Sequence, residues 1–151
     1  MKHTNISDII DGAIKKEDEA YHTYITALDF TDDPAIKKLF QQLAGDELEH
    51  KKKLLNLNTM SINEKIDSID SESSYIVDFL VDKPLEEISS LQEVFIFAMK
   101  RERKAFHFYS ETAKMASHQQ SKQLLQMLAR EEQKHLDKLE TIYDEKILSE
   151  N

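Results

Sequence analysis

Two stretches, LAGDELEHKKKL (Leu43–Leu54) and LAREEQKHLDKL (Leu128–Leu139), decide how this chain folds. Each opens Leu-Ala, closes Lys-Leu and carries a Glu three residues before a His, Glu47/His50 and Glu132/His135. In both, the two residues stand where a helix keeps its apolar stripe. Phe40, Leu43, Glu47, His50, Leu54 and Leu57 are spaced 3-4-3-4-3 and share one helical face. Leu125, Leu128, Glu132, His135, Leu139 and Ile142 repeat that spacing.

A shift of 85 residues carries one stretch onto the other, and it also aligns what precedes them. Ala13, Lys15, Glu17, Ala20, His22 and Tyr24 fall on Ala98, Lys100, Glu102, Ala105, His107 and Tyr109. Lys37, Leu39 and Gln41 fall on Lys122, Leu124 and Gln126. A match of this length reads as a duplicated helical hairpin. The preceding helix of each half has its own interrupted stripe. In the first it is Ile10, Ala13, Glu17, Ala20, Tyr24; in the second it is Leu91, Phe95, Ala98, Glu102, Ala105, Tyr109.

Caps and breaks set the boundaries. Asn5, with Asp8 three residues on, can start a first helix over about 6–31. Asp33 can cap a second, with Pro34 in its first turn, over about 34–57. The capping box Ser90-x-x-Glu93 starts a third, over about 91–116. The break SHQ (117–119) separates it from a fourth, over about 120–147. A connector over 58–89 joins the halves and holds the short apolar piece YIVDFLV (75–81). That piece suits either a cover for the side of the bundle or a contact with a second copy. The predicted fold is all-α: one domain over 1–151, a four-helix bundle of two antiparallel hairpins with a long crossover.

Turn geometry fixes the height of the polar residues. Glu17 and Glu47 each lie fifteen residues from Asp32, in the first break; Glu102 and Glu132 each lie fifteen from Ser117, in the second. At a rise of ~1.5 Å per residue, all four sit about 22 Å from their turns, near mid-helix. The hairpins then bring four carboxylates and two imidazoles to the centre of one bundle.

Composition agrees and excludes alternatives. Two Gly and two Pro among 151 residues, with 32% charged residues, favour long helices. The absence of Cys excludes disulfides, zinc ribbons and thiol catalysis. A net charge of −9 argues against nucleic acid or an anionic membrane as partner. No apolar run approaches the ~18 residues of a membrane span, and no secretory leader is evident, so the expected compartment is the cytoplasm.

Four buried carboxylates without counter-ions would cost several kcal/mol each, even after relaxation. Two divalent cations balance their charge, and two neutral imidazoles add nitrogen ligands. One Glu from each of two helices plus Glu-x-x-His from each of the other two is the ligand set already known from ferritin-like di-iron and di-manganese proteins. A single Glu-x-x-His would be weak in a chain this rich in Glu; the repeated set at one height is specific. The expected metal ligands are Glu17, Glu47, His50, Glu102, Glu132 and His135.

The segments EDEAYHTY, DELEH, ERKAFHFY and EEQKH resemble the rubrerythrin branch of the ferritin-like superfamily over nearly the whole chain. The resemblance implies a left-handed crossover and a carboxylate-bridged centre of two Fe ions, with Mn or Zn able to occupy the same ligands. It implies that Glu47 and Glu132 bridge the metals and that Glu17, Glu102, His50 and His135 are terminal ligands. Tyr24 and Tyr109 resemble the family tyrosines that hydrogen-bond a ligand carboxylate; packing alone would also explain them. The implied activity is reduction of peroxide or dioxygen, in a protein expected to pair as a homodimer. Two departures stand out. Rubrerythrins usually carry a further Glu one turn after the third-helix ligand, where this chain has Ala105, and a Cys-rich rubredoxin domain, whereas this chain has no Cys. The peroxidase mechanism is therefore not carried over whole, and turnover would need an external electron donor.

Other functions compatible with the same ligands are Fe(II) oxidation and iron handling, oxygenation of an organic substrate, and a bundle that has lost catalysis. Storage ranks lower because no fifth helix is evident after 147. His22 and His107 lie off the ligand stripe and read as boundary or interface residues, with a second metal site as the sharper alternative. His3 and His118 are assigned nothing. Asp18, Glu19, Asp46, Glu49 and Glu131 are expected to be solvated, some of them lining a path for incoming cations.

Overall fold

The first amides of a helix have no partner within it, and this chain supplies partners at two of its helix starts. Asp33 Oδ1 accepts from the backbone N–H of Ala35 at 2.8 Å and of Ile36 at 3.2 Å. Pro34 occupies the first helical position, where a missing N–H costs nothing. Ser90, in extended backbone, accepts from the N–H of Glu93 at 3.1 Å. The Glu93 carboxylate accepts in turn from the Ser89 hydroxyl.

The computed structural model describes residues 4–60, 65–66 and 74–148. Within them the order is β1 (Thr4–Asn5), α1 (Ile6–Ala27), a 3-10 turn (Leu28–Phe30), α2 (Pro34–Met60), β2 (Lys65–Ile66), α3 (Ser74–Val81), α4 (Leu91–Met115) and α5 (Gln119–Ile142), the last ending in a π turn (Tyr143–Ile147). β1 and β2 form one antiparallel pairing, Thr4 opposite Ile66 and Asn5 opposite Lys65. α1 starts directly after Asn5; the cap expected of that side chain, like His3, lies outside the described residues. Part of the 58–89 connector lies outside them as well.

The fold is an all-α four-helix bundle. α1 packs chiefly on α2 and α4 on α5, and the hairpins meet most closely along α2 and α5. α1 ends sooner than expected: Ala27 passes into the 3-10 turn and Thr31 is extended.

Two apolar clusters fill the ends of the bundle. One joins Ile6, Ile9 and Ile10 of α1 to Leu54 and Leu57 of α2, with Phe108 and Leu125 from the other hairpin. The other joins Ala20 and Tyr24 to Phe40, Leu43, Phe95 and Leu139. The start of α1 thus meets the end of α2, as an antiparallel pair requires. Each fully buried large side chain contributes about 1.5–3 kcal/mol, so the two clusters hold the helices in register from both ends and leave a polar layer between them.

α3 is the YIVDFLV piece, and it covers the bundle. Ile76 and Phe79 are buried, while Tyr75, Val77 and Val81 face outward. The Phe79 ring lies 4.7 Å from Phe108 and 6.1 Å from Tyr109. Gly12 of α1 faces α3: a Cβ there would meet Leu80 Cδ2 at 2.6 Å, so that side chain would have to shift. No helix among the described residues is long and apolar enough to cross a membrane.

Candidate metal centre

The polar layer consists of Glu17 from α1, Glu47 and His50 from α2, Glu102 from α4, and Glu132 and His135 from α5. None of the six is more than 2% exposed. Each has one side-chain atom with no hydrogen-bond partner: Glu17 Oε2, Glu47 Oε1, His50 Nδ1, Glu102 Oε2, Glu132 Oε1 and His135 Nδ1. A buried polar atom left unpaired normally costs about 1–3 kcal/mol. Six of them, one from each residue, converge on one layer, an arrangement that bound cations would satisfy.

Two ligand groupings emerge from these residues, Glu17, Glu47, His50 and Glu132, and Glu47, Glu102, Glu132 and His135. Within each, the ligand atoms lie within 4.8 Å of one another. Glu47 and Glu132 belong to both groupings. His50 Nδ1 is 3.1 Å from Glu47 Oε1 and 3.3 Å from Glu132 Oε1, and His135 Nδ1 is 3.4 and 3.2 Å from the same two oxygens. These contacts fall within ion-pair range without hydrogen-bond alignment. The two imidazole rings stack at 5.7 Å, 16° from parallel. An all-carboxylate and imidazole donor set of this kind fits divalent iron, manganese or zinc.

The outer atoms of four of the six residues are held by the opposite hairpin. Tyr24 of α1 donates its phenol to Glu102 Oε1 at 2.6 Å, and Tyr109 of α4 donates to Glu17 Oε1 at 2.5 Å. His50 Nε2 lies 3.1 Å from Glu131 Oε1, and His135 Nε2 lies 3.0 Å from Asp46 Oδ2. Asp46 and Glu131 were expected to be solvated; each is half-buried and turned onto an imidazole. The reason is their register, one residue before Glu47 and Glu132, which points them across the α2–α5 seam.

Arg101 enters the layer from α4. It is buried, and Nη1 donates to Glu132 Oε2 at 2.7 Å and, at closer range, to Glu47 Oε2. Nη1 is also 3.3 Å from Glu102 Oε1, and Nη2 is 3.3 Å from Glu17 Oε2. The Phe79 ring centroid is 5.4 Å from Arg101 Cζ.

This environment splits the ionisation of the carboxylates. Burial and the neighbouring carboxylates push Glu47 up, against the pull of Arg101. Burial also opposes charge on Glu132, but Arg101 and the two imidazoles outweigh it and hold Glu132 down. Glu102 is raised by burial and by Glu132. Protons are therefore shared across the cluster rather than owned by one residue. Burial works against charged imidazoles too, yet Glu131 and the surrounding glutamates raise His50, and Asp46, Glu102 and Glu132 raise His135. Burial and adjacent carboxylates raise Tyr24 and Tyr109, which keeps both phenols protonated as donors.

All six residues expected as ligands meet in one layer, and both tyrosines reach it. The other histidines among the described residues stay outside it. His22 is exposed beside Asp18 at 3.5 Å, and His107 stacks on Tyr75 at 4.5 Å. His118 sits at the start of α5. Sequence reading missed Arg101 and its counterpart Lys16. The signal was present: each precedes a predicted ligand Glu, and the 85-residue shift superposes them.

A family model described as Rubrerythrin matches residues 1–58 and 34–143. No curated protein matches the chain. Among solved structures, a hypothetical protein from Pyrococcus furiosus is 24% identical with a TM-score of 0.73, covering 93% of this chain and 89% of its own. A protein from Thermotoga maritima, described as a ferritin-like diiron-carboxylate protein, is 22% identical with a TM-score of 0.75, covering 96% and 98%. At these identities the two structures share the fold.

Proposed function

The chain belongs to the rubrerythrin family, and from that premise we propose that it is a di-iron protein that reduces peroxide or dioxygen with electrons from an external donor. The observation that carries the reading is the set of six unpaired, buried ligand atoms, one from each of Glu17, Glu47, His50, Glu102, Glu132 and His135. Glu47 and Glu132, common to both groupings, would bridge the two metals; the other four would each hold one.

When bound, two ferrous ions supply one electron each, so that peroxide and two protons give two waters, and the donor then returns two electrons. The chain's own residues make that possible. Tyr109 and Tyr24 hold the outer oxygens of Glu17 and Glu102, which aims the inner oxygens at the centre. Glu131 and Asp46 accept from the Nε2–H of His50 and His135, which reserves Nδ1 for the metal. The apolar clusters above and below exclude bulk water. The 151 residues contain no Cys to bind a further iron, so these residues provide no reductant of their own.

Anaerobic loading with Fe(II), followed by stopped-flow mixing with peroxide and separately with oxygen, tests the reading. We expect oxidation of two irons per peroxide, and loss of both binding and reaction in Glu47→Ala and Glu132→Ala. A protein that binds two irons and consumes neither oxidant would overturn it.

A further inference from the structure

The function above does not use Arg101, yet its guanidinium is placed among the ligand carboxylates. A guanidinium cannot shed its charge in a protein, so it is a permanent cation in the layer. It is bonded to the Oε2 atoms of Glu47 and Glu132, the two carboxylates common to both groupings, and leaves their Oε1 atoms unpaired. A carboxylate that bridges two metals uses both oxygens. Arg101 and a full metal load therefore compete for the same atoms.

A small cleft of about 20 Å³ opens beside Arg101, between α1, α4 and the segment after α3, lined by Lys16, Glu19, Phe79, Asp82 and Lys83 among others. It has room for about one water, so it has to widen for the guanidinium to enter. Two of those residues are acidic, the Asp82 carboxylate being paired with Lys104 at 3.0 Å, and the Phe79 ring already lies against the guanidinium. Lys16, which superposes on Arg101 in the hairpin repeat, already points there: its ammonium donates to the Asp82 carbonyl and lies 3.4 Å from Glu19. The same register thus shows both positions at once, inward for Arg101 and outward for Lys16.

We propose that Arg101 is the resident cation of the unloaded centre and the gate for loading it, clamping Glu47 to Glu132 until divalent cations take their outer oxygens, and then swinging into the cleft beside Lys16. This rests on the reading of the six residues as metal ligands. Without the clamp, the unloaded centre loses its fixed counter-ion, and incoming metal no longer has to displace one.

Zn(II) titration of the metal-free protein by calorimetry, with the wild type beside Arg101→Met and Arg101→Lys, tests it. We expect Arg101→Met to bind Zn(II) about tenfold tighter, the equivalent of one charge-assisted hydrogen bond, and to melt at a lower temperature when metal-free. Arg101→Lys keeps the charge and should fall between. In the ¹⁵N-labelled wild type, the Arg101 Nε–H resonance should shift when two equivalents of Zn(II) are added, a readout that holds even if Arg101→Met does not fold. Zinc binding in Arg101→Met no tighter than wild type, an unchanged metal-free melting temperature, or an Arg101 resonance unmoved by loading overturns the gate while leaving the ligand assignment intact. A wild type that binds no Zn(II) overturns that assignment itself, and the gate with it.

Discussion

His50 Nε2 and Glu131 Oε1 meet at 3.1 Å, so an imidazole of the first hairpin is oriented by a carboxylate of the second. Asp46 returns the contact to His135 at 3.0 Å. Each pair fixes which ring nitrogen faces the centre, and such partners typically set metal affinity by a factor of about 10–100. Glu131→Gln and Asp46→Asn should each weaken metal binding by about that factor, read by competition against a chelator of known affinity. Equal affinity in both variants would mean that the ring orientation is set by packing alone.

The two phenols make a matched test. Tyr109→Phe leaves Glu17 Oε1 buried without its donor, and Tyr24→Phe leaves Glu102 Oε1 with only the longer Arg101 contact at 3.3 Å. Stranding a buried acceptor costs about 1–3 kcal/mol. We expect each variant to lose stability of that order in metal-free chemical denaturation, with helix content unchanged by circular dichroism.

Acidity separates the metal-free from the metal-loaded protein. The folded metal-free state raises His50 and His135 above the ordinary histidine range and raises Glu47 and Glu102 as well. A raised group stabilises the fold fully below its unfolded pKa, and that stability drains as pH climbs toward the folded value. For the histidines the decline begins near an unfolded pKa of about 6.5. The metal-free melting temperature should therefore fall from about pH 6.5 upward. The same protons must leave before the ligands can bind a cation, so metal affinity should rise over that interval, with proton release measurable in weakly buffered solution.

Phe79 tests whether the short α3 helix belongs to the bundle. Its side chain is buried against Phe108 and Tyr109. Truncating such a ring costs about 3–5 kcal/mol. Phe79→Ala should destabilise by that amount and should also speed metal uptake, because the cleft beside Arg101 loses one wall.

The bundle and its six inward residues were legible in the sequence because helical periodicity fixes faces and the repeat fixes heights. Glu47 and His50 could be assigned inward only because Leu43 and Leu54 flank them on the same stripe. Periodicity says nothing, however, about a residue at the edge of a stripe. Asp46, Glu131 and Arg101 each stand one position before a Glu of the buried layer, where a side chain can turn outward or reach across a seam. Lys16 and Arg101 share that register and go opposite ways. Which way an edge residue turns depends on what the neighbouring helix presents, and that is a tertiary fact. The helical state of YIVDFLV was equally hidden: a short apolar run does not declare its own conformation.

Tyr24 serves Glu102 as Tyr109 serves Glu17, and Asp46 serves His135 as Glu131 serves His50. Each of these four reaches across the seam has its mirror image; the reach of Arg101 to Glu47 has none. Two identical copies of a single hairpin, related by a twofold axis, would assemble the same layer without any link between them. A single chain can hold a difference that no strictly symmetric pair could: its repeated basic position is Lys16 in one half, turned away from the layer, and Arg101 in the other, turned onto it.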